Sequence, residues 1–330
     1  MSKLINRDLM HDDVVTGEQR QDQTPRVILL AIHGMGDTDR YFADCLFRGV
    51  KQSLGQLSTA VFFQPVFWDQ VFYPHQAAMA DRMRSENLHY FKIREFLLYS
   101  LSDAASVEGH QCESGSAYER VQQVIVSSLM RAYDRVGTQA DVVIFAHSLG
   151  GWIISNYLWD CQLAQPRQGV WQHEGVWQHG SVWQHEGDWQ HPLQDCADNT
   201  LKSWLKLQRL RLLYTAGCPL PLYLGGLDAD EIEPIATDNE RYQIRWCNFF
   251  DPDDVLAWPL KPINQAYHRA VAEDIEIKAA YGFWRRLIYG WNPMSHNEYW
   301  RAPCIHRILA DDIRSLLNAP ANLSTDSDSD

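Results

Sequence analysis

The sequence lacks several features that would assign it at once to a class of protein. It has no run of about 18 apolar residues, the length that a membrane-spanning helix requires. Basic residues are few, since 29 Lys and Arg stand against 42 Asp and Glu and the formal net charge is −13. Because nucleic-acid binding needs clustered positive charge, we expect neither a nucleic-acid partner nor a transmembrane segment.

Cysteine pairs are missing as well. The seven cysteines are scattered, and no two of them form a CxxC motif. An odd number without regular spacing is typical of free thiols in a reducing compartment, and it argues against a disulfide framework or a zinc site. The first residues, MSKLINRDLMHDDVV, lack the apolar core of a signal peptide. We therefore expect a cytoplasmic protein.

Short apolar runs alternate with longer helical patterns along the chain. The strand-like runs are 27–32, 60–68, 142–146, 210–216 and 242–250, and the helical patterns are 41–57, 84–101, 118–136 (with Gly137 as its stop) and about 302–317. Runs that are apolar on both faces are typical of parallel strands covered by helices on both sides. The alternation predicts an α/β fold with a mostly parallel central sheet, flanked by a lead-in at 1–25 and an acidic tail at 318–330.

A repeat interrupts this alternation at 168–191. It consists of four six-residue units, GVWQHE, GVWQHG, SVWQHE and GDWQHP, which contain 4 of the 13 Trp. In an extended chain, an even period keeps every Trp and His on one face. Four such units are too short for a solenoid with its own core, so we interpret them as a duplicated surface insertion. A metal-binding row of histidines and an aromatic platform are the alternatives.

The segment 146–151, AHSLGG, joins a strand-like run to the helical pattern WIISNYLW. A strand, a sharp turn and a helix form the setting of a nucleophile elbow, which requires small residues two positions before and after the serine. Ala146 and Gly150 meet that requirement, and the next helix directs its positive end towards the site. The pattern predicts Ser148 as a nucleophile, the alternative being an ordinary serine at a helix start.

A second glycine-containing motif, HGMGD at 33–37, follows the first strand-like run. Glycines let the backbone pass close to a substrate and present its N–H groups. In an acyl-transfer enzyme, two such amides stabilise the oxyanion, and we expect them to come from Met35 and Leu149. Gly34 and His147 are the expected substrate-binding residues. On its own, the motif is a plain strand-to-helix turn.

A serine nucleophile needs a base, and the base needs an orienting carboxylate. After Ser148, the segment 246–260 places several aspartates at the end of a strand. We favour Asp254 because it directly precedes the apolar VLA, where the chain would turn back beneath the site. Asp251 is the alternative acid.

The favoured base is His296, in the polar stretch SHNEYW, which we expect to be a loop before the last helix. His268 and His306 both lie within helical patterns. The order Ser148, Asp254, His296 is the order that one hydrolase fold uses. Because the serine and the histidine must meet across 148 positions (296 − 148), we expect a single domain over 26–317.

These motifs resemble those of the α/β-hydrolases of the lipase and esterase kind. AHSLGG is similar to the GHSLGG elbow with Ala146 in place of the first Gly, and HGMGD resembles the oxyanion-hole loop HG-x-G. TAGCPLPL at 215–222 is similar to the T-x-GSP motif, with Cys218 in place of the Ser. The resemblance covers roughly 26–317 except for the repeat.

The resemblance implies a serine esterase that acts on a small-molecule or lipid ester and needs no metal or organic cofactor. It also implies cap-like insertions, for which 69–117 and 161–206 are the candidates. Thioesterase, amidase and acyltransferase chemistry would use the same residues. An alternative of another class is an inactive hydrolase-fold scaffold that binds partners through the WQHE repeat.

Overall fold

The computed structural model describes residues 24–35, 38–71, 73–84, 116–163, 199–279 and 293–319, together with single positions at 86, 89, 91, 94 and 98. The WQHE repeat lies outside these residues, as do most of the helix expected at 84–101, nearly all of the lead-in and most of the acidic tail. Both candidate insertions lie partly outside them.

Within the described residues, six parallel strands form one sheet in the order β2-β1-β3-β4-β5-β6. The strands are β1 (Val27–Ile32), β2 (Val61–Val66), β3 (Asp141–His147), β4 (Leu210–Ala216), β5 (Arg245–Phe250) and β6 (Val271–Glu276). The first five agree with the apolar runs of the sequence, and the predicted α/β class is confirmed.

Helices cover both faces of the sheet. The described helices are α1 (Asp44–Leu54), α2 (Tyr73–Arg84), α3 (Ala117–Val136), α4 (Leu149–Gln162), α5 (Asn199–Leu205), α6 (Leu220–Leu224), α7 (Gln265–Ala270) and α8 (Pro303–Asn318). The 3-10 helices in the described ranges are Gly55–Ala60, Asp69–Val71 and Pro293–Arg301.

The sheet separates two apolar cores, because successive side chains of a strand point to opposite faces. In β1, Ile28 and Leu30 face a core shared with α3, α4 and α5, whereas Val27 and Leu29 face a core shared with α1 and α8. All four side chains are buried. Burying one such side chain contributes roughly 1.5–3 kcal/mol, so both cores stabilise β1.

The chain order reverses between β1 and β3. From β1 the chain moves outward to β2, and it then returns to place β3 on the other side of β1. In an open parallel sheet, such a reversal leaves a crevice beyond the carboxyl ends of the two strands, where ligands bind. The segments that follow β1 and β3 are those with the HGMGD and AHSLGG motifs. The architecture is consistent with an α/β-hydrolase-like fold.

Helix α1 and strand β6 differ from the sequence-based expectation. The helix predicted over 41–57 begins at Asp44 and ends at Leu54, because Gly55 follows with a φ of 62°, which only glycine adopts readily. Strand β6, with the sequence VAEDIE, was not expected. It is an edge strand and carries exposed acidic side chains, which protect a sheet edge but obscure the apolar pattern.

Helix α3 agrees with its predicted bounds to within one residue. Its N-terminus is capped by Ser116, whose Oγ accepts the Glu119 N–H at 3.2 Å. It ends at Gly137, with a φ of 70°, as the glycine stop predicts.

None of the described helices is long and apolar enough to cross a membrane. The cysteines in the described ranges are free thiols: Cys45, Cys161, Cys218, Cys247 and Cys304. In the same ranges, no group of three or more His, Cys, Asp or Glu side chains is arranged to hold a metal ion.

Candidate active site

Ser148 occupies a strained turn between β3 and α4. Its φ and ψ are 55° and −127°, and among the described non-glycine residues only Leu207 shares a positive φ. A conformation of this kind costs on the order of 1–3 kcal/mol and persists only where the surroundings impose it. Here the Ser148 N–H donates to the carbonyl of Ala216 at the end of β4, at 2.8 Å. The turn is therefore fixed by the neighbouring strand.

Small residues around Ser148 are required by the packing. A Cβ at Gly150 would lie 2.6 Å from the carbonyl oxygen of His33 and 2.9 Å from that of Ile32, so only glycine fits beneath the end of β1. A Cβ at Gly34 would lie 2.5 Å from the Ser148 Cβ and 3.1 Å from its Oγ. The backbone after β1 thus passes directly beside the hydroxyl of Ser148.

His33 holds this backbone segment in place. The Trp68 N–H donates to His33 Nε2 at 3.0 Å, so the ring proton is on Nδ1, which donates to the Gly34 carbonyl at 2.7 Å. The Trp68 indole stacks on the imidazole at 4.6 Å and donates to the His33 carbonyl. Burial lowers the pKa of His33 to about 3, so the ring is neutral. The sequence reasoning considered only the glycines of this motif and missed the histidine.

The two predicted oxyanion donors belong to the segments that meet at Ser148. Leu149 is buried and begins α4, so its N–H is one of the amides that have no acceptor within the helix. Met35 follows Gly34 directly and is partly buried against the core of α3 and α4. The positions 36 and 37 of the motif lie outside the described residues. The role of both amides remains a prediction.

Ser148, His296 and Asp254 form a continuous row of hydrogen bonds. His296 Nε2 lies 2.6 Å from Ser148 Oγ, and His296 Nδ1 lies 2.7 Å from Asp254 Oδ2. The three residues are only 1 %, 4 % and 2 % exposed. A carboxylate oxygen only accepts, so Nδ1 donates to Asp254 and Nε2 is left free to accept the Ser148 proton. This geometry lets the imidazole act as a base towards the hydroxyl.

The alternative acid Asp251 has different partners. Its carboxylate accepts the Asp253 N–H at 3.0 Å and the Ala279 N–H at 2.7 Å, and Lys278 Nζ lies 3.6 Å away. Asp254 receives the Leu256 N–H on Oδ1 at 3.1 Å and His296 on Oδ2. The structure therefore brings Asp254 to the imidazole, whereas Asp251 joins the loop after β5 to the segment after β6.

His296 lies in a 3-10 helix, Pro293–Arg301, where a polar loop was expected. In a 3-10 helix, residues three apart lie on one side, which places Tyr299 beside His296. The Tyr299 hydroxyl donates to Asp254 Oδ2 at 3.0 Å and accepts the Asp251 N–H at 2.9 Å. The sequence reasoning missed Tyr299, although its spacing of three from the histidine is a signal that could have identified it.

The other two histidines that were weighed as the base lie elsewhere. His306 is inside α8, and its Nε2 is 3.0 Å from the Trp300 carbonyl oxygen. His268 is exposed in α7.

His147, the residue before the serine, faces the helix that carries the candidate base. Its Nε2 is 2.6 Å from the carbonyl oxygen of His296, and the two rings are 4.7 Å apart. Burial and the neighbouring His296 hold the pKa of His147 well below its ordinary value, so the ring is neutral and its Nε2–H donates to that carbonyl. The described contact of His147 is thus with the protein backbone, and its expected contact with substrate remains a prediction.

Comparison of the chain with models of protein families and with curated proteins finds no match. The chemistry of the candidate site has therefore to be argued from its own residues.

Proposed function

We propose that the chain is a serine hydrolase that cleaves carboxylic esters at Ser148. The observation that carries this proposal is the row of hydrogen bonds from Ser148 through His296 to Asp254, with distances of 2.6 and 2.7 Å. Ser148 follows β3 at the point where the strand order reverses, which is where open parallel sheets bind ligands. A serine, a base and an orienting carboxylate in this sequence of contacts form the arrangement that activates a hydroxyl for attack on a carbonyl.

In the first half-reaction, Ser148 Oγ attacks the ester carbonyl carbon while His296 Nε2 takes the hydroxyl proton. Asp254 keeps the imidazole in the required tautomer and stabilises the imidazolium that forms. The imidazolium then gives its proton to the departing alcohol, and the C–O bond to that alcohol breaks. An acyl group remains on Ser148.

In the second half-reaction, water attacks the acyl group and His296 again takes a proton. The carboxylic acid departs as the proton returns to Ser148 Oγ. In both halves, the backbone N–H groups of Met35 and Leu149 stabilise the negative oxygen of the tetrahedral intermediate. Losing one such donor costs roughly 100-fold or more in rate.

The proposal is tested with a fluorophosphonate probe and with short-chain p-nitrophenyl esters. We expect wild-type protein to be labelled at Ser148 and to hydrolyse the esters, and we expect Ser148→Ala to lose about 10⁴-fold or more of that activity. The matched control is Ser53→Ala on α1, which removes a hydroxyl that bonds the Gly49 carbonyl away from the site. Equal turnover by wild type and Ser148→Ala would refute the proposal, and no labelling of Ser148 in the wild-type protein would favour the non-enzymatic alternative.

The same assay separates the related acyl chemistries. Thioesters and amides present a similar carbonyl carbon to Ser148, and they differ in the leaving group that His296 must protonate. We expect the ester of a matched series to have the highest kcat/KM. A higher value for the matched amide would reassign the substrate class while leaving Ser148 as the nucleophile.

A further inference from the structure

Tyr299 is a fully buried side chain that the reaction scheme does not use. Its hydroxyl lies between two aspartates of the loop after β5, donating to Asp254 Oδ2 and accepting the Asp251 N–H. We propose that Tyr299 is a positioning residue that holds the Asp254 carboxylate against His296 through its phenolic O–H. This inference rests on the proposed function of the three residues.

The contacts of Asp254 show what the hydroxyl adds. Oδ1 receives a backbone N–H from Leu256, which belongs to the same loop as Asp254. Oδ2 receives His296 Nδ1 and the Tyr299 hydroxyl, both from the 3-10 helix. Two donors from one helix restrain the position of this oxygen relative to the imidazole. Without the hydroxyl, only the His296 contact would join this oxygen to the helix.

The ring of Tyr299 is also closely packed. Gly217, after β4, has a φ of 59°, and a Cβ there would lie 3.0 Å from Tyr299 Cε2 and 3.1 Å from His296 Cε1. The His147 ring is 5.6 Å from the Tyr299 ring. The glycine therefore allows the 3-10 helix to approach the sheet closely, and the tyrosine ring has little room to leave Asp254.

The charges around His296 make the role of this hydroxyl measurable. Asp254 faces the imidazole directly, and Asp251 in the same loop has Lys278 as a counter-charge 3.6 Å away. His147, which packs from β3, is neutral because burial holds its pKa low. Burial and Asp254 raise the pKa of Tyr299 far above its ordinary value, so it remains a donor. Its O–H is therefore one of the hydrogen-bond donors that stabilise the charge of Asp254.

The test is the rate of fluorophosphonate labelling as a function of pH. Removing the O–H in Tyr299→Phe leaves more of the Asp254 charge directed at His296, and the pH profile of the labelling rate reports that change. We expect the midpoint of the acidic limb to rise by about 0.5 pH unit and the plateau rate to fall roughly tenfold. The control, Tyr157→Phe, removes a buried hydroxyl that bonds the Leu205 carbonyl, and we expect it to leave the midpoint unchanged.

A second substitution should shift the midpoint of the acidic limb in the opposite direction. Placing 3,5-difluorotyrosine at position 299 preserves the ring and makes its O–H a stronger donor, so we expect the midpoint to fall. An unchanged midpoint in both variants, with wild-type labelling intact, would overturn the role of Tyr299 and leave the proposed function standing.

Failure of the proposed function has a different signature. It would appear as no labelling of the wild-type protein at any pH. The positioning role is then decided by the NMR resonance of the His296 Nδ1 proton, which reports the bond to Asp254. A clear shift of that resonance in Tyr299→Phe, absent in Tyr157→Phe, would support the role, and an unmoved resonance would overturn it.

Discussion

The turn at Ser148 and the segments that carry Asp254 and His296 are held by different kinds of contact. The serine turn depends on backbone packing, since Gly34 and Gly150 have no space for a Cβ and the Ser148 N–H is bonded to β4. The other two segments depend on side-chain hydrogen bonds, through which Asp254 and His296 meet although they are 42 residues apart. The first region is encoded in two short sequence motifs, HGMGD and AHSLGG, whereas the second joins residues that share no motif.

Because the two regions are held by different contacts, they should be sensitive to different kinds of substitution. In the serine turn, adding a methyl group should be harmful because it displaces backbone. In the acid and base segments, changing the chemistry of a polar atom at constant size should be harmful because hydrogen bonds hold the groups. Substitutions of these two kinds therefore test whether the two regions differ as the contacts indicate.

The largest effect is expected for the acid. Asp254→Asn keeps the size of the side chain but removes the charge that orients His296 and stabilises the imidazolium, so we expect kcat to fall by about 10³-fold or more. Asp251→Asn is the matched comparison, because that carboxylate is equally buried but bonds only backbone N–H groups and Lys278. We expect it to keep kcat within about tenfold.

Although Asp251 should matter little for kcat, we expect it to matter for the stability of the fold. Its carboxylate joins the loop after β5 to Ala279 beyond β6, and weakening a buried bond to a charged group costs about 1.5–3 kcal/mol. We expect the free energy of unfolding, measured by urea denaturation, to fall by about that amount in Asp251→Asn. A kcat loss as large in Asp251→Asn as in Asp254→Asn would contradict the assignment of the acid.

A smaller effect is expected from a methyl group in the serine turn. In Gly34→Ala the new Cβ would lie 2.5 Å from the Ser148 Cβ, so the loop or the serine must move. Displacement of a reacting group by about 1 Å can cost about 100-fold in rate, and we expect fluorophosphonate labelling to slow by about that factor. Gly226→Ala is the control, since a Cβ there meets nothing within 4 Å. Wild-type labelling by Gly34→Ala would show that backbone packing does not control this turn.

The same difference explains how much of the fold could be predicted from the sequence. Strands β1 and β3 are buried on both faces, and their unbroken apolar runs identify them directly. Strand β6 is the last strand of the described sheet, and its exposed acidic residues interrupt the apolar pattern. The sequence pattern reports burial, so it identifies a buried strand more readily than an exposed edge strand.

For the candidate site, the serine turn could be predicted because its requirements are local. The small residues Ala146 and Gly150, and the apolar run before them, are read directly from residues 142–151. The sequence favoured Asp254 over Asp251 only through the apolar VLA that follows it, and both aspartates are buried in the same loop. Which of them faces His296 depends on the 3-10 helix that also carries Tyr299. Hydrogen bonds of that kind leave no periodic pattern in the sequence.

The smallest expected effect is on the pH dependence of the free energy of unfolding, and it concerns the loop beside Ser148. His33 has a pKa of about 3 in the folded protein against an ordinary value of 6.5, because it is buried and neutral. Between these two values the unfolded chain binds the proton and the folded chain does not, so stability falls as the pH falls. The contribution of His33 is fully present above pH 6.5 and is lost progressively below it. His147 and His306 act in the same direction, since burial lowers their pKa values too.

His33→Gln isolates the contribution of one of these residues. The glutamine amide can still offer an acceptor to the Trp68 N–H, but it does not titrate. Between pH 7.5 and 5.5, one histidine of this kind costs the wild type about 1.4 kcal/mol. In urea denaturation at these two pH values, we therefore expect the variant to lose about 1.4 kcal/mol less than the wild type does. An equal loss in both proteins would mean that His33 is protonated in the folded state, and that the loop beside Ser148 is not held by a neutral imidazole.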